Sequence, residues 1–295
     1  MNSDVGEIFG SRAHEYDRYA KIQHTVASDL AGIMARALDF TPQEKVMDLG
    51  CGTGDLICCL RPYCHEPVFY GCDLSSDMLA EACLKISGII PLTADFNQSD
   101  FLKGGKYDLI MSSFAFQWCR DLPCLFDYLS RSITPSGAVA LALPVAGSLS
   151  ELKESFAEIG YGGFINDFPA ESLCTESLQR VFGGFYGEVR TYTVRYPSCR
   201  DILRSITRIG AAGRFSSGIV NECAENTETG GGTRLTPGIV KDLIRVYEKY
   251  SSADGGYEIS YRVLFAVAGT FRKSFSDTGS VPAGRTDVVQ AVNPR

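Results

Sequence analysis

Short apolar runs alternate with segments of helical periodicity along most of the chain. In the first half, apolar runs predict strands near residues 46–49, 68–73, 89–96, 107–113 and 138–143. Between these runs, and through residues 1–40, apolar positions recur at helical spacing. Helices that alternate with short buried strands are typical of an α/β fold with a parallel sheet.

The second half adds two strands with helices inserted between them. Alternating apolar positions predict a strand over residues 185–196, and an apolar run predicts another over residues 259–267. Helical periodicity covers residues 199–209 and 236–250 between these strands. We expect this insertion, about residues 198–255, to form a helical lid over the crevice at the end of the sheet.

The elements together predict one domain over residues 1–273, with an N-terminal helical cap at residues 1–40. Residues 9–17 of this cap are rich in aromatic side chains. They either fold over the crevice or belong to a helix packed on the sheet edge, and periodicity alone favours the edge. Residues 274–295 are polar with Pro and Gly, which predicts a flexible tail.

The first strand ends in an acidic residue followed by three alternating glycines. Asp48 precedes Gly50, Gly52 and Gly54. Such a turn lets a ligand approach the bare backbone, and the amides of the next helix then face the ligand. A dinucleotide fingerprint has a third glycine where Asp55 stands, and that acid would lie near a pyrophosphate. The chain also lacks the G-K-S or G-K-T tripeptide of a phosphate-binding loop.

Two later strands also end in acidic residues. Asp73 lies about 20 residues after the glycine turn, where βαβ folds place the carboxylate that binds a ribose. Simple capping of the following helix is the alternative for Asp73. Asp95 and Phe96 suit an adenine, with a carboxylate for the exocyclic amine and an aromatic ring for the base. The sequence therefore predicts a nucleoside site along this edge of the sheet.

Aromatic residues follow the fourth strand directly, at residues 114–118. Residues just past the carboxyl end of a strand line the crevice of an open α/β sheet. Aromatic side chains at that place exclude water from a reacting centre, although the protein core is their more usual location.

Composition excludes several classes of protein. The chain of 295 residues has 28 Lys and Arg against 35 Asp and Glu, a net charge of −7, so we expect no nucleic-acid partner. The eleven cysteines form no C-x-x-C pair, and there are only three histidines, which predicts reduced thiols and no metal site. We expect no membrane segment and no signal peptide, and hence a cytoplasmic protein.

The motif from Asp48 to Gly54 resembles the first motif of the class I S-adenosylmethionine-dependent methyltransferases. Further pieces occur up to about residue 270: Phe9-Gly10 with Ala13, Tyr16, Asp17 and Gln23; Asp73-Leu74-Ser75 with Met78-Leu79; Phe116-Gln117-Trp118-Cys119; Gly147-Ser148-Leu149 with Glu151-Leu152; residues 203–211; and Leu235-Thr236 with Tyr261. The cofactor motifs are shared by the whole superfamily, whereas Gln117-Trp118 and Ile209-Gly210-Ala211 point to a narrower family. With these pieces the chain resembles the malonyl-acyl carrier protein O-methyltransferases of biotin synthesis.

The resemblance implies a seven-stranded sheet whose last strand is antiparallel. It implies transfer of a methyl group from S-adenosylmethionine to the free carboxyl of a malonyl thioester on acyl carrier protein, as a primer for a pimeloyl unit. Leu74 and Ser112 join the expected donor site, and Tyr261 joins the expected substrate site. The chain departs from the family pattern at Ser112-Ser113, where Ser-Asn is usual, and at Phe96-Asn97-Gln98, where acids are usual.

This chemistry needs no catalytic base, because a malonyl carboxylate is already ionised at neutral pH. Rate enhancement is expected from alignment of oxygen, methyl and sulfur and from exclusion of water. Tyr16 and Phe116 are the residues we expect to form that wall. The scattered histidines His14, His24 and His65 are not expected to act in catalysis.

An arginine row is the candidate contact for the acidic carrier protein. Arg200, Arg204 and Arg208 are spaced by four and would lie in one row on a helix. Arg204 is also a candidate to bind the malonyl carboxylate, whereas a solvated helix face is the alternative for the whole row. We expect a monomer.

Two other functions stay open from the sequence. One is another small-molecule class I methyltransferase, acting on a quinone precursor or on aconitate, which would need a base near the sulfonium for a carbon or hydroxyl nucleophile. The other is a non-catalytic protein that binds S-adenosylmethionine.

Overall fold

A mixed sheet of eight strands runs through the computed structural model, which describes residues 13–208, 235–252, 255–271 and 285–290. The strands are β1 (Lys45–Leu49), β2 (Val68–Asp73), β3 (Ile90–Thr93), β4 (Tyr107–Ser113), β5 (Ile133–Pro144), β6 (Phe185–Tyr196), β7 (Tyr257–Gly269) and β8 (Arg285–Gln290). Their spatial order is β3-β2-β1-β4-β5-β7-β6-β8.

The sheet topology places a binding crevice at one point. β1 pairs in parallel with both β2 and β4, so the strand order reverses between β1 and β4. Ligands of open α/β sheets bind at such a reversal, beyond the carboxyl ends of the strands. β7 is antiparallel to both of its neighbours, β5 and β6. The predicted α/β fold, with an antiparallel seventh strand, is confirmed.

The eighth strand lies in the segment predicted to be a flexible tail. Residues 285–290 pair in parallel with residues 190–195 of β6, so the sheet extends beyond residue 273, the predicted end of the domain. That prediction is wrong for this stretch, because it averaged over a polar segment that contains the adjacent β-branched residues Val288 and Val289. The remainder of the predicted tail, after residue 273, lies outside the described residues.

Helices cover both faces of the sheet. They are α1 (Ala13–Tyr19), α2 (Lys21–Ala37), α3 (Asp55–Leu60), α4 (Ser76–Lys85), α5 (Leu122–Ser132), α6 (Ser150–Glu158), α7 (Glu171–Val181), α8 (Cys199–Arg208) and α9 (Pro237–Tyr247). Single 3-10 turns occur at Arg61–Tyr63, Phe116–Trp118 and Glu248–Tyr250. Within the described ranges, no helix combines the length and the apolar composition that crossing a bilayer requires.

Two apolar clusters, one on each face of the sheet, hold these helices. Val26, Leu30 and Ile33 of α2 are fully buried in one cluster, and Phe126 and Leu129 of α5 are fully buried in the other. Burying one such side chain contributes about 1.5–3 kcal/mol. The ends of the central strands are thereby fixed between two helical layers.

Both helices of the predicted insertion are present. α8 buries Ile202, Leu203 and Ile206, and it contacts α1 and α9. The polar loop expected between the two helices falls at residues 209–234, outside the described residues. Whether the insertion acts as a lid therefore stays a prediction.

A serine joins the end of β5 to β7. The backbone N–H of Arg262 donates to Ser148 Oγ at 2.9 Å, and that hydroxyl donates to the carbonyl oxygen of Arg262 at 2.9 Å. Gly147 has φ +95°, and a Cβ there would lie 2.7 Å from the Arg262 side chain. This junction follows directly on the pairing of Pro144 with Val263 and lies next to Tyr261, the neighbour of Arg262.

Candidate active site

A cavity of about 250 Å³ lies beyond the carboxyl ends of β1, β2, β3 and β4, and is called the larger cavity here. Tyr16, Asp48, Gly50, Gly52, Asp73, Leu74, Asp95 and Phe96 are the predicted site residues that line it. The structure therefore brings most of the predicted donor residues to the strand reversal. Gly54 and Ser112 are the two that do not line the cavity.

The glycine turn combines left-handed backbone with close packing. Gly50 and Gly52 have φ +70° and +53°. A Cβ at Gly50 would lie 2.2 Å from the Cβ of Ala115, whereas nothing lies within 4 Å of one at Gly52. Gly54 has φ +85° and precedes α3, where a Cβ would lie 2.3 Å from Ile86. Gly54 thus shapes the turn and the helix start, and its contact with the donor stays a prediction.

Asp73 connects the glycine turn to the start of α4. Its Oδ2 accepts from the N–H of Gly52 at 2.9 Å, and its Oδ1 accepts from the N–H of Ser75 at 2.9 Å. Burial raises the pKa of Asp73, and these N–H donors oppose the rise. Each carboxylate oxygen can accept a second hydrogen bond, so the group retains capacity for two ligand hydroxyls. Capping is carried out by Ser75, whose Oγ accepts from the N–H of Met78 at 3.3 Å.

Asp48 is a buried carboxyl group with an unused oxygen. It is 1% exposed, and its Oδ2 has no hydrogen-bond partner among the described residues. Burial raises the pKa of Asp48 well above its usual range, with further contributions from Asp73 and Asp55. An unpaired buried carboxylate is costly, so a cationic group at this position would be stabilising.

A second turn connects the ends of β3 and β4. Asp95 Oδ1 accepts from the N–H of Asn97 at 2.9 Å, and Asn97 Nδ2 donates to the carbonyl oxygen of Trp118 at 3.3 Å. Phe96 lies beside this turn and contacts Phe116 edge-on, with ring centroids 5.7 Å apart. Asn97 belongs to the stretch 96–98, where the chain departs from the family pattern, and its side chain connects the turn after β3 to the turn after β4.

Carboxylates dominate the charge of the larger cavity. Five aspartates line it, Asp17, Asp48, Asp55, Asp73 and Asp95, and no Lys or Arg does so among the described residues. Opposite charge favours a bound cation in partly buried surroundings. The lining therefore suits a ligand with cationic groups.

Ser113 lines the larger cavity in place of Ser112, which was the predicted donor-site serine. Ser112 is buried, and its Oγ donates to the carbonyl oxygen of Leu49 at 2.7 Å. Ser113 instead lines the larger cavity, and its buried Oγ has no partner in the described part of the chain. Successive side chains of a strand point to opposite faces, which explains the error of one residue.

The aromatic segment after β4 divides in the same way. Phe116 is 1% exposed, packs against Phe96 and Phe126, and lines neither cavity. Phe114 and Trp118 line the site instead. Phe114 has φ +52°, an unusual backbone for a bulky residue and one that concentrates at functional sites. The prediction that Phe116 forms the wall is thus corrected to Phe114 and Trp118.

A smaller cavity of about 30 Å³ adjoins the larger one. Four residues line both cavities, namely Tyr16, Gln23, Phe114 and Trp118, and the smaller cavity adds Gln117, Pro144, Asn166, Asp167, Phe168 and Tyr261. Gln23 Oε1, Gln117 Oε1 and the Tyr261 hydroxyl are buried there without a partner among the described residues. Unpaired buried polar atoms indicate a place for a polar ligand.

Tyr16 stands between the cavities on a helix held by polar contacts. Burial is the main cause that raises the pKa of the Tyr16 hydroxyl, and the negative charges of Asp73, Asp55 and Asp17 raise it further. The hydroxyl therefore stays protonated. In the same helix, Asp17 Oδ1 accepts from Thr53 Oγ1 at 2.7 Å, and Oδ2 pairs with Lys85. The described end of the aromatic cap segment, residues 13–17, therefore lies at the site, and the edge-packed alternative is wrong for this part.

The predicted arginine row lies elsewhere. Arg204 is exposed and pairs with Asp201 at 3.4 Å, and Arg200 is exposed as well. Neither lines a cavity, because α8 turns Ile202 and Ile206 inward. The prediction that Arg204 binds the malonyl carboxylate inside the site is wrong. The side chain of Arg208 lies outside the described residues, and the docking role of the row stays a prediction.

Sequence analysis missed several lining residues. Gln23, Gln117 and Trp118 belong to the pieces that carry the family resemblance, but no function for these three side chains follows from the sequence alone. Ser113 and Asn97 appeared only as departures from the family pattern. Phe114 belongs to the aromatic segment at residues 114–118 that was expected at the crevice, but nothing in the sequence favours it over Phe116, because its left-handed backbone is a property of the folded chain.

Comparisons with known proteins agree with this geometry. A family model described as a methyltransferase domain matches residues 46–137. A malonyl-[acyl-carrier protein] O-methyltransferase from Pseudescherichia vulneris is 31% identical, with 72% of this chain and 83% of that protein covered. The same-named protein from Alcanivorax borkumensis is 30% identical, with 70% of each covered. The biotin biosynthesis bifunctional protein BioHC of Saccharophagus degradans is 29% identical, and the chain spans 45% of its length.

Solved structures share the fold. The YcgJ protein from Bacillus subtilis has a TM-score of 0.54 at 13% identity, with 82% of this chain and 98% of that chain covered. A putative methyltransferase from Bacillus halodurans has a TM-score of 0.52 at 13% identity, with 82% and 97% covered. At such identity the likeness concerns the fold alone.

Proposed function

Because the chain belongs to the malonyl-[acyl-carrier protein] O-methyltransferase family, we propose that it methylates the free carboxyl group of a malonyl thioester on acyl carrier protein. The methyl donor is S-adenosylmethionine, which when bound supplies a methyl group on a positively charged sulfur. The observation that carries the proposal is the shared wall of the two cavities at Tyr16, Gln23, Phe114 and Trp118. Donor and acceptor would meet at that wall.

The residues of the larger cavity fit this donor. Asp73 would accept from the ribose hydroxyls while it keeps its bonds to Gly52 and Ser75. Asp95 and Phe96 would receive the adenine. The unpartnered Oδ2 of Asp48 is the best-supported acceptor for the cationic amino acid end, because it is buried and lacks a partner in the described part of the chain.

The residues of the smaller cavity would orient the acceptor. A malonyl carboxylate is ionised at neutral pH, so the site needs donors and shape rather than a base. Burial raises the pKa of the Tyr261 hydroxyl, so that group remains a donor toward a carboxylate oxygen. Phe114 and Trp118 exclude water on the shared wall, which strengthens the attraction between the two opposite charges.

The methyl ester that this reaction would form suits a role in biotin synthesis. Methylation removes the negative charge at the end of the malonyl group, so that fatty acid synthesis can extend it as an ordinary acyl primer toward a pimeloyl unit. Carrier protein would approach over α8, where Arg200, Arg204 and Arg208 form the candidate docking row. Action as a monomer and location in the cytoplasm stay predictions.

Mass spectrometry of malonyl-acyl carrier protein tests the proposal. After incubation with the protein and S-adenosylmethionine, the carrier protein should gain the mass of one methylene unit. Acetyl-acyl carrier protein is the matched control, because it lacks the free carboxyl and should stay unmodified. Aconitate and quinone precursors test the other methyltransferase class. Tight donor binding without transfer to any acceptor would instead indicate a non-catalytic binding protein.

A further inference from the structure

Three metal-ligating side chains meet at the rim of the larger cavity, where α2 packs on α3. His24 belongs to α2, and Asp55 and Cys59 belong to α3. The Nδ1 atom of His24 lies 2.9 and 3.1 Å from the two carboxylate oxygens of Asp55. One ligand atom from each of the three residues lies within 4.8 Å of the other two. His24 and Asp55 are 31 positions apart in the chain, so the packing of α2 on α3 brings them together.

The donor set matches one class of ion. Imidazole nitrogen, thiolate sulfur and carboxylate oxygen are the ligands of Zn²⁺, at about 2.0–2.3 Å in tetrahedral geometry. A thiolate at Cys59 and a carboxylate at Asp55 would balance the two charges of the ion. The His24 side chain is 65% exposed, so it can move toward the sulfur and leave a fourth position open to water.

The helix scaffold places these donors without a change of fold. Asp55 and Cys59 are four residues apart, so they share one face of α3. Leu56 and Ile57 of the same helix are buried in the apolar cluster that also contains the buried side chains of α2, which fixes the orientation of α3. Cys58 is exposed, and it does not belong to the cluster. The chain therefore offers a neighbouring thiol on the same helix as a control.

We propose that His24, Asp55 and Cys59 form a Zn²⁺ site on the rim of the larger cavity. The sequence predicted no metal site because the cysteines lack the usual spacing along the chain, but this cluster is assembled by the packing of two helices.

The site would be coupled to the donor cavity, a consequence that rests on the proposed function. His24 and Asp55 both line the larger cavity, so a bound ion would cancel negative charge there. S-adenosylmethionine carries a positive sulfur, and its product S-adenosylhomocysteine does not. Bound Zn²⁺ should therefore weaken binding of the cationic donor several-fold more than binding of the product.

Titration with Co²⁺, followed by absorption, tests the site itself in the full-length protein and needs no activity. Binding should give a thiolate-to-cobalt charge-transfer band, and Zn²⁺ should displace the ion and remove the band. The Cys59→Ser variant should lose the band, and His24→Ala should weaken binding at least tenfold. The Cys58→Ser variant should retain both the band and the affinity within about twofold. Circular dichroism of each variant checks that the fold is intact.

Three results would overturn the site. One is the absence of a thiolate band in the unmodified protein. A second is equal loss in the Cys58→Ser and Cys59→Ser variants, which would assign the ion to scattered surface thiols. A third is retention of the band in Cys59→Ser. Methyl transfer to malonyl-acyl carrier protein is measured separately, so failure of the proposed function leaves these results interpretable.

Discussion

The two cavities differ in how the chain builds them. The larger cavity takes its predicted carboxylates from the ends of β1 and β2 and from the turn after β3, so each of these groups lies in or next to the strand that positions it. Helices α1 and α2 add Tyr16, Asp17, Gln23 and His24. The smaller cavity gathers side chains from α1 and α2, from the turn after β4, from the end of β5, from residues 166–168 and from β7. Local sequence therefore determines the predicted carboxylates of the first, and tertiary packing determines the second.

The two cavities also differ in how their polar groups are satisfied. In the larger cavity Asp73 already accepts two backbone N–H groups, and fixed carboxylates set the charge. In the smaller cavity, atoms of Gln23, Gln117 and Tyr261 are buried without partners among the described residues. The larger cavity also holds Asp48 Oδ2 and Ser113 Oγ without partners among the described residues, so both cavities carry polar atoms that a ligand would satisfy. The larger cavity differs in that backbone N–H groups already fix the carboxylate of Asp73.

The largest effect is expected from adding a methyl group to the glycine turn. Gly50→Ala combines a left-handed backbone, which costs roughly 1–2 kcal/mol, with overpacking against Ala115, which costs typically about 1–3 kcal/mol. Gly52→Ala is the matched control, because its Cβ meets nothing within 4 Å and only the backbone cost applies. Thermal and urea unfolding measure both variants. Equal destabilisation would show that contact with Ala115 does not limit the turn.

A large effect on ligand binding is expected at Asp73. Asp73→Asn leaves one acceptor oxygen where two are used, and S-adenosylhomocysteine should bind about 1.5–3 kcal/mol more weakly, the range for hydrogen bonds to a charged group. Asp77→Asn, on the exposed side of α4, is the control and should bind normally. Calorimetry measures both variants. Unchanged affinity in Asp73→Asn would remove this residue from the donor site.

Substitution of Asp48 is expected to change stability and donor binding in opposite directions. Its raised pKa means that the folded state holds a proton more tightly than the unfolded chain. The associated stability is present below the unfolded pKa, near 4, and is lost as pH rises through the folded pKa. Asp48→Asn should therefore stabilise the ligand-free protein at neutral pH, with a smaller gain as pH falls toward 4. The same variant should bind S-adenosylmethionine more weakly.

Unfolding midpoints of Asp48→Asn and of the unmodified protein, measured over a series of pH values, test the predicted gain in stability, and binding of S-adenosylmethionine tests the predicted loss of affinity. A constant difference between the two proteins over the whole range would mean that Asp48 titrates normally. A stabilised variant that binds the donor as tightly as the unmodified protein would mean that the unused oxygen faces no cationic group.

The same contrast explains which parts of the site could be predicted. Asp48, Gly50 and Asp73 were accessible because a strand end, a left-handed turn and a second strand end are encoded within a few residues each. Ser112 was exchanged for Ser113 because only the pairing of β4 with β5, with Ser112 opposite Leu141, decides which side chain faces the cavity.

Errors farther from the motif have other physical causes. Phe116 was chosen over Phe114 because aromatic composition is visible in the sequence and a positive φ is not. Arg204 was given an inward role, although its exposure depends on which face of α8 packs against neighbouring elements. The strand at residues 285–290 was missed because an edge strand is stabilised by its partner, β6, and its own sequence is mostly polar.

A smaller effect is expected at two buried tyrosines, of which Tyr261 lines the smaller cavity and Tyr247 lines neither cavity. The Tyr247 hydroxyl donates to the carbonyl oxygen of Glu258 at 2.7 Å, so Tyr247→Phe should cost about 0.5–1.5 kcal/mol of stability. Tyr261→Phe removes no hydrogen bond in the described structure and should leave the unfolding midpoint nearly unchanged. Its KM for malonyl thioester should instead rise about 2–10-fold, as for one lost hydrogen bond.

Kinetics on malonyl-coenzyme A together with thermal unfolding separate the two tyrosines. A destabilised Tyr261→Phe variant with normal KM would place its hydroxyl in an unseen structural contact. A Tyr247→Phe variant with raised KM and normal stability would move the acceptor site toward α9.

The smallest effect on stability is expected where the acceptor side reaches the surface. Arg200→Glu with Arg204→Glu removes only the ion pair between the exposed Arg204 and the partly buried Asp201, and surface pairs contribute about 0–1 kcal/mol. Repulsion should raise the KM for acidic malonyl-acyl carrier protein, and the effect should shrink with added salt because the charges are solvent-exposed. Malonyl-coenzyme A should be much less affected, since it lacks the protein surface. Lys103→Glu with Lys106→Glu, on the loop before β4, is the charge-matched control, because both lysines are exposed and two positive charges are again reversed. If both acceptors lose activity equally, or if the control variant behaves the same way, α8 is not the docking face and recognition is confined to the cavities.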